Sequence, residues 1–418
     1  MTSADVDSNL PVTLPDWLSH QAERRGPQIA LRQKLRGIWA SWSWRALDDD
    51  VSRVAQALGA RGLVHGDRIL IHGERNELCP EVIVLGLAAQ RRGAAVAFVP
   101  AAVHEPSESA VSWAPALWPR FRVVRDAAAL AELPPEPAPG FELRILLSAR
   151  GFVPGAPPGV VCYEALLGEP RAPSTSAGTA TPESGTRPRG ASAEDPACVG
   201  LANAAGQRSS YSSVYARTHR ELIAAAAAIA RRLGDDADHD ALALGGSGAD
   251  WQFHNVIGPW LLRGFRLNLV ENASTADYDR RELGPSLLLG AAAAYRELAE
   301  RVRANLPAPG SWLRRALDRV LDAKPGSPYA WLRPWLVLGP LRDVLGVSRV
   351  RHALVLGAPP ESALSSELRR LGIALDIVPN EGAWATAAAL DATARDSASS
   401  ATTSSDATTL HPSVRAVA

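Results

Sequence analysis

The amino-acid sequence predicts an α/β fold with parallel sheets and flanking helices. Between Leu47 and Leu58 apolar residues recur at i, i+4, i+7 and i+11, which is one face of an amphipathic helix. Two short apolar runs follow, Arg68–Ile71 and Ala94–Val99, and a helical segment separates them. A strand, a helix and a strand at this spacing form a parallel βαβ crossover. We therefore expect the two runs to be adjacent strands that are buried on both faces.

The remaining elements follow the same alternation. In the first half, Gly93 ends the helix that begins at Pro80, Pro100 ends the second strand, and Phe121–Val124 predicts a further strand of the same sheet. In the second half we expect both helices and strands. The helices are Glu221–Leu233, Tyr295–Asn305, Trp312–Asp322 and Ser362–Leu371, and the strands are Gly264–Glu271, Val350–Leu356 and Ile373–Val378.

Two segments lack hydrophobic periodicity and divide the chain. Residues 168–196 are rich in Pro, Gly, Ser and Thr, which predicts a flexible linker. Residues 391–418 form a Ser/Thr/Ala-rich tail that cannot bury enough apolar surface to fold. The sequence thus predicts two α/β subdomains, 11–167 and 197–390.

Composition narrows the function classes. The chain has 418 residues with 44 basic and 44 acidic side chains, a balance that argues against nucleic-acid binding through a basic field. Three widely spaced cysteines match neither a disulfide framework nor a zinc site. With no secretory signal and no apolar run of membrane-spanning length, we expect a cytoplasmic protein. Only two lysines, Lys34 and Lys324, are available for chemistry that needs one.

Seven motifs stand in an order that is typical of one enzyme family. In the first half they are Leu14–Leu18 with Pro27–Ala30, Ser43–Leu47, Gly62–Ile71, and Arg75–Glu77 with Gly93–Val96. In the second half they are Thr218–Leu222, Pro285–Gly290 with Tyr295–Leu298, and Val350–Pro360 with Leu371–Ile373. Together they resemble the N-terminal domain of the AMP-forming adenylate synthetases, most closely the long-chain fatty acyl-CoA synthetase branch.

This resemblance implies a ligand site and a set of ligands. The family's activity would be fatty acid–CoA ligation, with ATP or AMP and magnesium as cofactors and a fatty acyl group or acyl carrier as the partner molecule. The best preserved motifs place the cofactor-binding residues at Thr218, His219, Gly357, Ala358 and Pro359. A partner synthetase is a further expectation.

The departures from the family concern its chemistry. The family's phosphate loop, Y-T-S-G-T-T-G-x-P-K-G-V, corresponds here to Ala204–Tyr215, in which Gly206 is the one glycine and Ser213 stands in place of the lysine. Glu381 is either a shifted remnant of the metal-binding glutamate or an ordinary loop residue. Nothing after Ile373 resembles the mobile C-terminal domain with its catalytic lysine. We therefore assign no catalytic residue and no metal ligand.

Three functional classes stay open. The first is a non-catalytic relative that binds an acyl group, a nucleotide or a partner protein. The second is a divergent fatty-acid-activating ligase that a separate C-terminal domain completes. The third is a scaffold that keeps only the fold.

Three other features have ordinary structural interpretations. Gly245–Gly248 lacks a phosphate-binding pattern and predicts a strand-to-helix turn, and His254 predicts a surface or core histidine. The Trp-rich segment 311–345 contains a basic amphipathic helix. Such a helix either covers an internal core or makes peripheral contact with a membrane.

Overall fold

The structure is a computed structural model. It describes residues 10–73, 78–100, 121–131, 143–148, 159–168, 190–203, 211–234, 238–244, 249–322 and 338–378. Within these ranges the chain forms two seven-stranded, largely parallel sheets with helices packed on them. The α/β class with flanking helices is confirmed.

The first sheet, called sheet A, has the strand order β14-β13-β12-β10-β11-β1-β2. Its strands are β1 Ile29–Leu35, β2 Ile38–Ser43, β10 Asp240–Ala243, β11 Arg266–Leu269, β12 Leu287–Gly290, β13 His352–Leu356 and β14 Leu375–Val378. Neighbouring strands are parallel except for β1 and β2, which form an antiparallel hairpin at one edge.

The second sheet, called sheet B, has the order β7-β6-β5-β3-β4-β8-β9. Its strands are β3 Arg68–Gly73, β4 Ala95–Pro100, β5 Phe121–Val124, β6 Leu143–Leu146, β7 Val160–Cys162, β8 Pro196–Asn203 and β9 Tyr211–Thr218. Here too a single antiparallel pair, β8 with β9, ends the sheet.

The helices connect and cover these strands. Before β10 they are α1 Leu14–Arg25, α2 Trp44–Ala60, α3 Pro80–Arg91, α4 Ala127–Ala131, α5 Tyr163–Gly168 and α6 His219–Arg232. After β10 they are α7 Ala249–Arg263, α8 Ala276–Leu283, α9 Ala292–Asn305, α10 Trp312–Leu321, α11 Gly339–Val344 and α12 Ser362–Arg370. In the described part of the chain, none of these helices has the length and apolar character needed to cross a bilayer.

The predicted βαβ unit is confirmed. Strand β3 pairs in parallel with β4, from Arg68 opposite Ala95 to Gly73 opposite Pro100, and β5 pairs in parallel with β3 on its other side. Ile69, Leu70 and Ile71 are each at most 1% exposed. Because consecutive strand residues point to opposite faces, their common burial shows that both faces of β3 are covered.

The two sheets do not follow the two halves of the chain. The β1–β2 hairpin comes from the first half but completes sheet A, whereas the β8–β9 hairpin follows residue 190 and completes sheet B. Both hairpins were absent from the sequence-based assignment of elements. Most of the predicted linker and the whole predicted tail lie outside the described residues.

One buried hydrophobic cluster unites the sheets. It contains apolar residues of both sheets together with residues of α1, α2, α3 and α7. At its centre the Trp44 ring of α2 stacks on the Trp260 ring of α7 with centroids 5.0 Å apart, and both side chains are fully buried. The indole Nε1 of Trp260 donates a hydrogen bond of 3.0 Å to the carbonyl of Ala30, so α7 is fixed to β1 as well.

Replacing Trp260 with alanine should lower the free energy of unfolding by about 3–5 kcal/mol, because the change leaves a large cavity in the cluster. Urea denaturation followed by circular dichroism measures the change. Trp312→Ala is the matched control: the Trp312 side chain is 76% exposed, so its loss should shift the free energy of unfolding by less than about 0.5 kcal/mol. Equal effects of the two variants would contradict the assigned core.

Candidate ligand-binding crevice

The chain leaves the neighbouring strands β10 and β11 toward opposite faces of sheet A. After β10 it enters α7, whose residues join the cluster shared with α1, α2 and α3. After β11 it enters α8, and Leu283 of that helix packs against the second hydrophobic cluster, which contains α9 and α12. In open parallel sheets, such a reversal creates a crevice at the carboxyl ends of the two strands, and ligands bind there.

A cavity of about 220 Å³ occupies this position. It lies against the ends of β10 and β11 and against side chains of α7, α8 and α9, with one corner formed by the segment that leads into α3. Its lining residues are Gln33, Leu78, Cys79, Leu242, Ala243, Leu244, Gln252, Leu269, Val270, Glu271, Asn272, Ala273, Ala276, Arg280, Ala294, Glu297, Leu298 and Arg301. The lining is therefore mixed, with aliphatic side chains, amides and charged groups.

Two guanidinium groups of the lining share one carboxylate. Asp277 pairs with Arg280 at 2.9 Å and with Arg301 at 2.5 Å. The Arg280 side chain is buried and also donates from Nε to the carbonyl of Leu345 at 2.7 Å. Glu297 lies 3.8 Å from Arg301 and is its more distant acidic partner. We call the trio of Asp277, Arg280 and Arg301 the arginine pair site.

Burial and charge set the pKa values in this site. Burial lowers the pKa of the Arg280 guanidinium, and Asp277 opposes that shift. Burial also disfavours the charged form of Asp277, but Arg280 and Arg301 outweigh it and hold the pKa of the Asp277 carboxyl below its usual range. The Asp277 carboxyl is thus ionised at neutral pH.

The β1–β2 hairpin holds the wall of the cavity that follows β11. Both carboxylate oxygens of Glu271 accept backbone N–H groups of the hairpin turn, from Arg36 at 2.8 Å and from Gly37 at 3.1 Å. Lys34 of the same hairpin pairs with Asp279 at 3.1 Å and with Glu282, both on α8. One of the chain's two lysines is therefore engaged in joining the hairpin to α8.

Two of the predicted cofactor-binding residues stabilise the start of α6. Thr218 is its N-cap: the hydroxyl accepts from the backbone N–H of Glu221 at 3.2 Å, and the Glu221 side chain accepts from Thr218 N–H in return. His219 is 1% exposed, and its Nδ1 accepts from the backbone N–H of Leu14 at 3.2 Å. Burial lowers the pKa of His219 to about 4. Thr218 pairs with Pro196 at the start of β8. Thr218 and His219 therefore lie at the edge of sheet B that holds the amino ends of its parallel strands.

The other predicted residues lie on the other sheet. Gly357, Ala358 and Pro359 follow β13 at the carboxyl edge of sheet A, the edge that also holds the cavity, but they are not among its lining residues. Gly357 has φ +104°, a backbone conformation that favours glycine, and its N–H donates to the carbonyl of Val378. The structure thus places the two predicted groups on different sheets. Their role in binding a cofactor stays a prediction.

The remaining predicted features lie partly outside the described residues. Residues 204–210 of the phosphate-loop equivalent, the turn 245–248 and Glu381 lie outside the described residues, while 211–215 belong to β9. His254 is a core residue: it is 9% exposed, its ring lies edge-on to Phe98 at 6.0 Å, and burial lowers its pKa to about 3.

Several described residues that could serve a nucleotide are engaged within the scaffold. Thr218, His219 and Lys34 all have partners within the scaffold. Across the described ranges, no group of three or more His, Cys, Asp or Glu side chains is arranged to hold a metal ion.

Comparison with known proteins agrees with this geometry at the level of fold. Residues 18–109 match the sequence model of the AMP-binding enzyme family. No curated protein matches the chain by sequence.

Three solved structures illustrate the likeness. The acetoacetyl-CoA synthetase from Streptomyces lividans is 16% identical, with a TM-score of 0.59 over 88% of this chain and 51% of that one. An acyl-CoA synthetase from Brucella canis is 17% identical, with a TM-score of 0.58 over 88% and 57%. The anthranilate CoA ligase AuaEII, in complex with anthranoyl-AMP, is 14% identical, with a TM-score of 0.58 over 89% and 60%.

The fold is that of the N-terminal domain of the adenylate-forming enzymes. The chain matches the AMP-binding enzyme model over residues 18–109 and spans between 51% and 60% of the length of these three structures. The comparisons do not single out the long-chain branch.

The buried histidines predict a loss of stability in acid. His219 and His254 have folded-state pKa values of about 4 and about 3, below the unfolded value of 6.5. At a pH between the folded and unfolded pKa values, the unfolded chain therefore binds more protons than the folded chain. The stability that the neutral imidazoles contribute is present above pH 6.5 and decreases as the pH falls toward 4. Urea unfolding between pH 7 and pH 4 should show this fall.

His219→Asn keeps an acceptor near the position of Nδ1 but cannot titrate, so its unfolding free energy should depend on pH less steeply, by about one proton. An identical pH dependence in the wild type and in His219→Asn would show that folding does not lower the pKa of His219.

Proposed function

We propose that this protein is a non-catalytic relative of the AMP-forming ligases, and that it binds a small carboxylic acid or acyl group in the crevice at the ends of β10 and β11. The observation that carries the proposal is the arginine pair site in a cavity of mixed lining, in which aliphatic side chains lie beside the two guanidinium groups. A carboxylate is the ligand group that such an arrangement recognises.

The two guanidinium groups of the arginine pair site support a carboxylate ligand. Asp277 accepts from both Arg280 and Arg301, and Glu297 lies 3.8 Å from Arg301, so a ligand carboxylate would compete with these acids for the two cations. Arg301 retains 39% of its side-chain exposure and can turn its fork toward a ligand. A bound carboxylate would receive charge-assisted hydrogen bonds there, which are about twice as strong as neutral ones.

The aliphatic lining supports a short apolar tail on the ligand. Leu242, Leu244 and Leu298 border the cavity. Gln33 is 8% exposed, and in the described part of the chain its amide makes no hydrogen bond, so it is available to a second polar group. At about 220 Å³ the cavity is smaller than the roughly 300–1,000 Å³ of ordinary ligand pockets. A small acid therefore fits this cavity better than a nucleoside triphosphate.

Adenylation requires donors that these residues do not supply. Negative charge develops on phosphate oxygens in the transition state, and loss of a single positioned donor typically costs about 2.7–4 kcal/mol. Ser213 stands in place of the phosphate-loop lysine, and Lys34 is paired with Asp279 and Glu282. The proposed role is therefore binding without activation of the acid. The alternative is a divergent ligase that a separate C-terminal domain completes.

Replacing Arg301 with methionine should weaken acid binding by at least about tenfold, because a hydrogen bond to a charged group contributes about 1.5–3 kcal/mol. The probes are butyrate, octanoate and dodecanoate, ranked by thermal shift, and isothermal titration calorimetry then measures the affinity of the best one. Arg296→Met is the matched control. It lies on the same helix, pairs with Glu361 at 3.2 Å and does not line the cavity.

The control variant should bind within about twofold of the wild type, since surface ion pairs contribute about 0–1 kcal/mol to stability and Arg296 does not reach the ligand. Equal affinity of Arg301→Met and the wild type would reject the crevice as the acid site. Failure of all three acids to bind the wild type would reject the proposed ligand class.

A further inference from the structure

Helix α10 is amphipathic, and the apolar side chains at its N-terminal end are exposed. Ser311 caps the helix by accepting from the backbone N–H of Arg314 at 3.1 Å. The apolar side chains of the helix are Trp312, Leu313, Ala316, Leu317, Val320 and Leu321, of which only Leu321 is buried. The sequence left open whether this helix covers a core or contacts a membrane. Ala316, Leu317 and Val320 are half-buried, whereas Trp312 and Leu313 are exposed, so the first apolar residues of the helix are accessible.

A small set of ion pairs attaches α10 to the body of the protein. Arg370 of α12 pairs with Asp322 at 2.8 Å and with Asp318 at 3.4 Å. Arg314 pairs with the same Asp318 at 3.1 Å. The acidic groups at this end of the helix are thus balanced by Arg314 and Arg370.

The exposed residues of α10 combine apolar and cationic side chains. Trp312 is 76% exposed and Leu313 is 50% exposed. Arg315 and Arg319 are exposed as well, and they follow Trp312 at i+3 and i+7, so the three residues share one stripe of the helix. We call Trp312, Leu313, Arg315 and Arg319 the outer face of α10.

We propose that the outer face of α10 binds the surface of an anionic lipid bilayer. Trp and Leu insert readily at the boundary between head groups and acyl chains, and the adjacent cations are attracted to anionic head groups. The charges favour such a surface, because Asp318 and Asp322 are already paired with Arg314 and Arg370, while the cationic Arg315 and Arg319 are exposed. Contact would be peripheral, since no helix in the described ranges is long and apolar enough to span the bilayer.

Sedimentation with extruded vesicles tests the proposal on the full chain. The wild type should bind vesicles of equal parts phosphatidylcholine and phosphatidylglycerol, and pure phosphatidylcholine vesicles at least about tenfold more weakly, since each surface cation adds about fivefold on an anionic membrane. Binding should also weaken as salt is raised toward about 0.5 M, because exposed charges are then screened.

Two double variants separate the two contributions. R315Q/R319Q should weaken binding to the anionic vesicles by about tenfold or more. W312A/L313A should reduce it at least as much through loss of apolar insertion. The matched control is R24Q/R231Q, which removes two exposed arginines from α1 and α6 and should leave binding within about twofold. Circular dichroism and thermal unfolding verify that each variant is folded.

Three results would overturn the proposal. One is absence of wild-type binding to the anionic vesicles. Another is equal weakening by R315Q/R319Q and by R24Q/R231Q, which would indicate unspecific attraction. The third is a wild-type dimer in light scattering that W312A/L313A converts to a monomer, which would show that a second copy of the chain covers the outer face.

Discussion

The fold depends on one hydrophobic cluster that belongs to both sheets. Helices α1, α2, α3 and α7 contribute to it together with strands of sheet A and sheet B, so neither sheet can bury its inner face without the other. The stack of Trp44 on Trp260 and the hydrogen bond from Trp260 to Ala30 bring α2, α7 and β1 together within this cluster. The edge hairpins also join the two halves of the chain. Each hairpin extends the sheet that is built mainly from the other half.

The same cluster determines where a ligand can bind. Since α7 must pack into it while α8 packs on the opposite face, the chain leaves β10 and β11 in different directions and opens a crevice between their ends. The β1–β2 hairpin then fixes one wall through Glu271 and Lys34. Two residues of a family-like motif have roles in the scaffold: Thr218 caps a helix, and His219 accepts a backbone N–H of α1. The architecture of an adenylate-forming domain is thus retained, with a small cavity at its switch point.

Periodicity and the order of motifs explain which parts of the structure the sequence could predict. The βαβ unit from α2 to β5 follows from helical and strand periodicity, and the order of family motifs predicts the fold. Strand order is not local, so neither the exchange of hairpins nor the crevice could be deduced. Asp277 and Arg301 are 24 residues apart, and no motif connects them. His219 could be recognised as part of a motif, but the sequence does not reveal that its ring would be buried against the backbone of Leu14.

The central claim is that this chain keeps the fold of adenylate formation without its chemistry. Release of pyrophosphate from ATP and magnesium, measured with a panel of fatty acids and with a folded, acid-binding sample, tests it most directly. We expect no release above the background without protein, because several phosphate-stabilising donors are replaced or engaged elsewhere. Turnover above that background, abolished when magnesium is chelated, would contradict the claim and identify the protein as a divergent ligase.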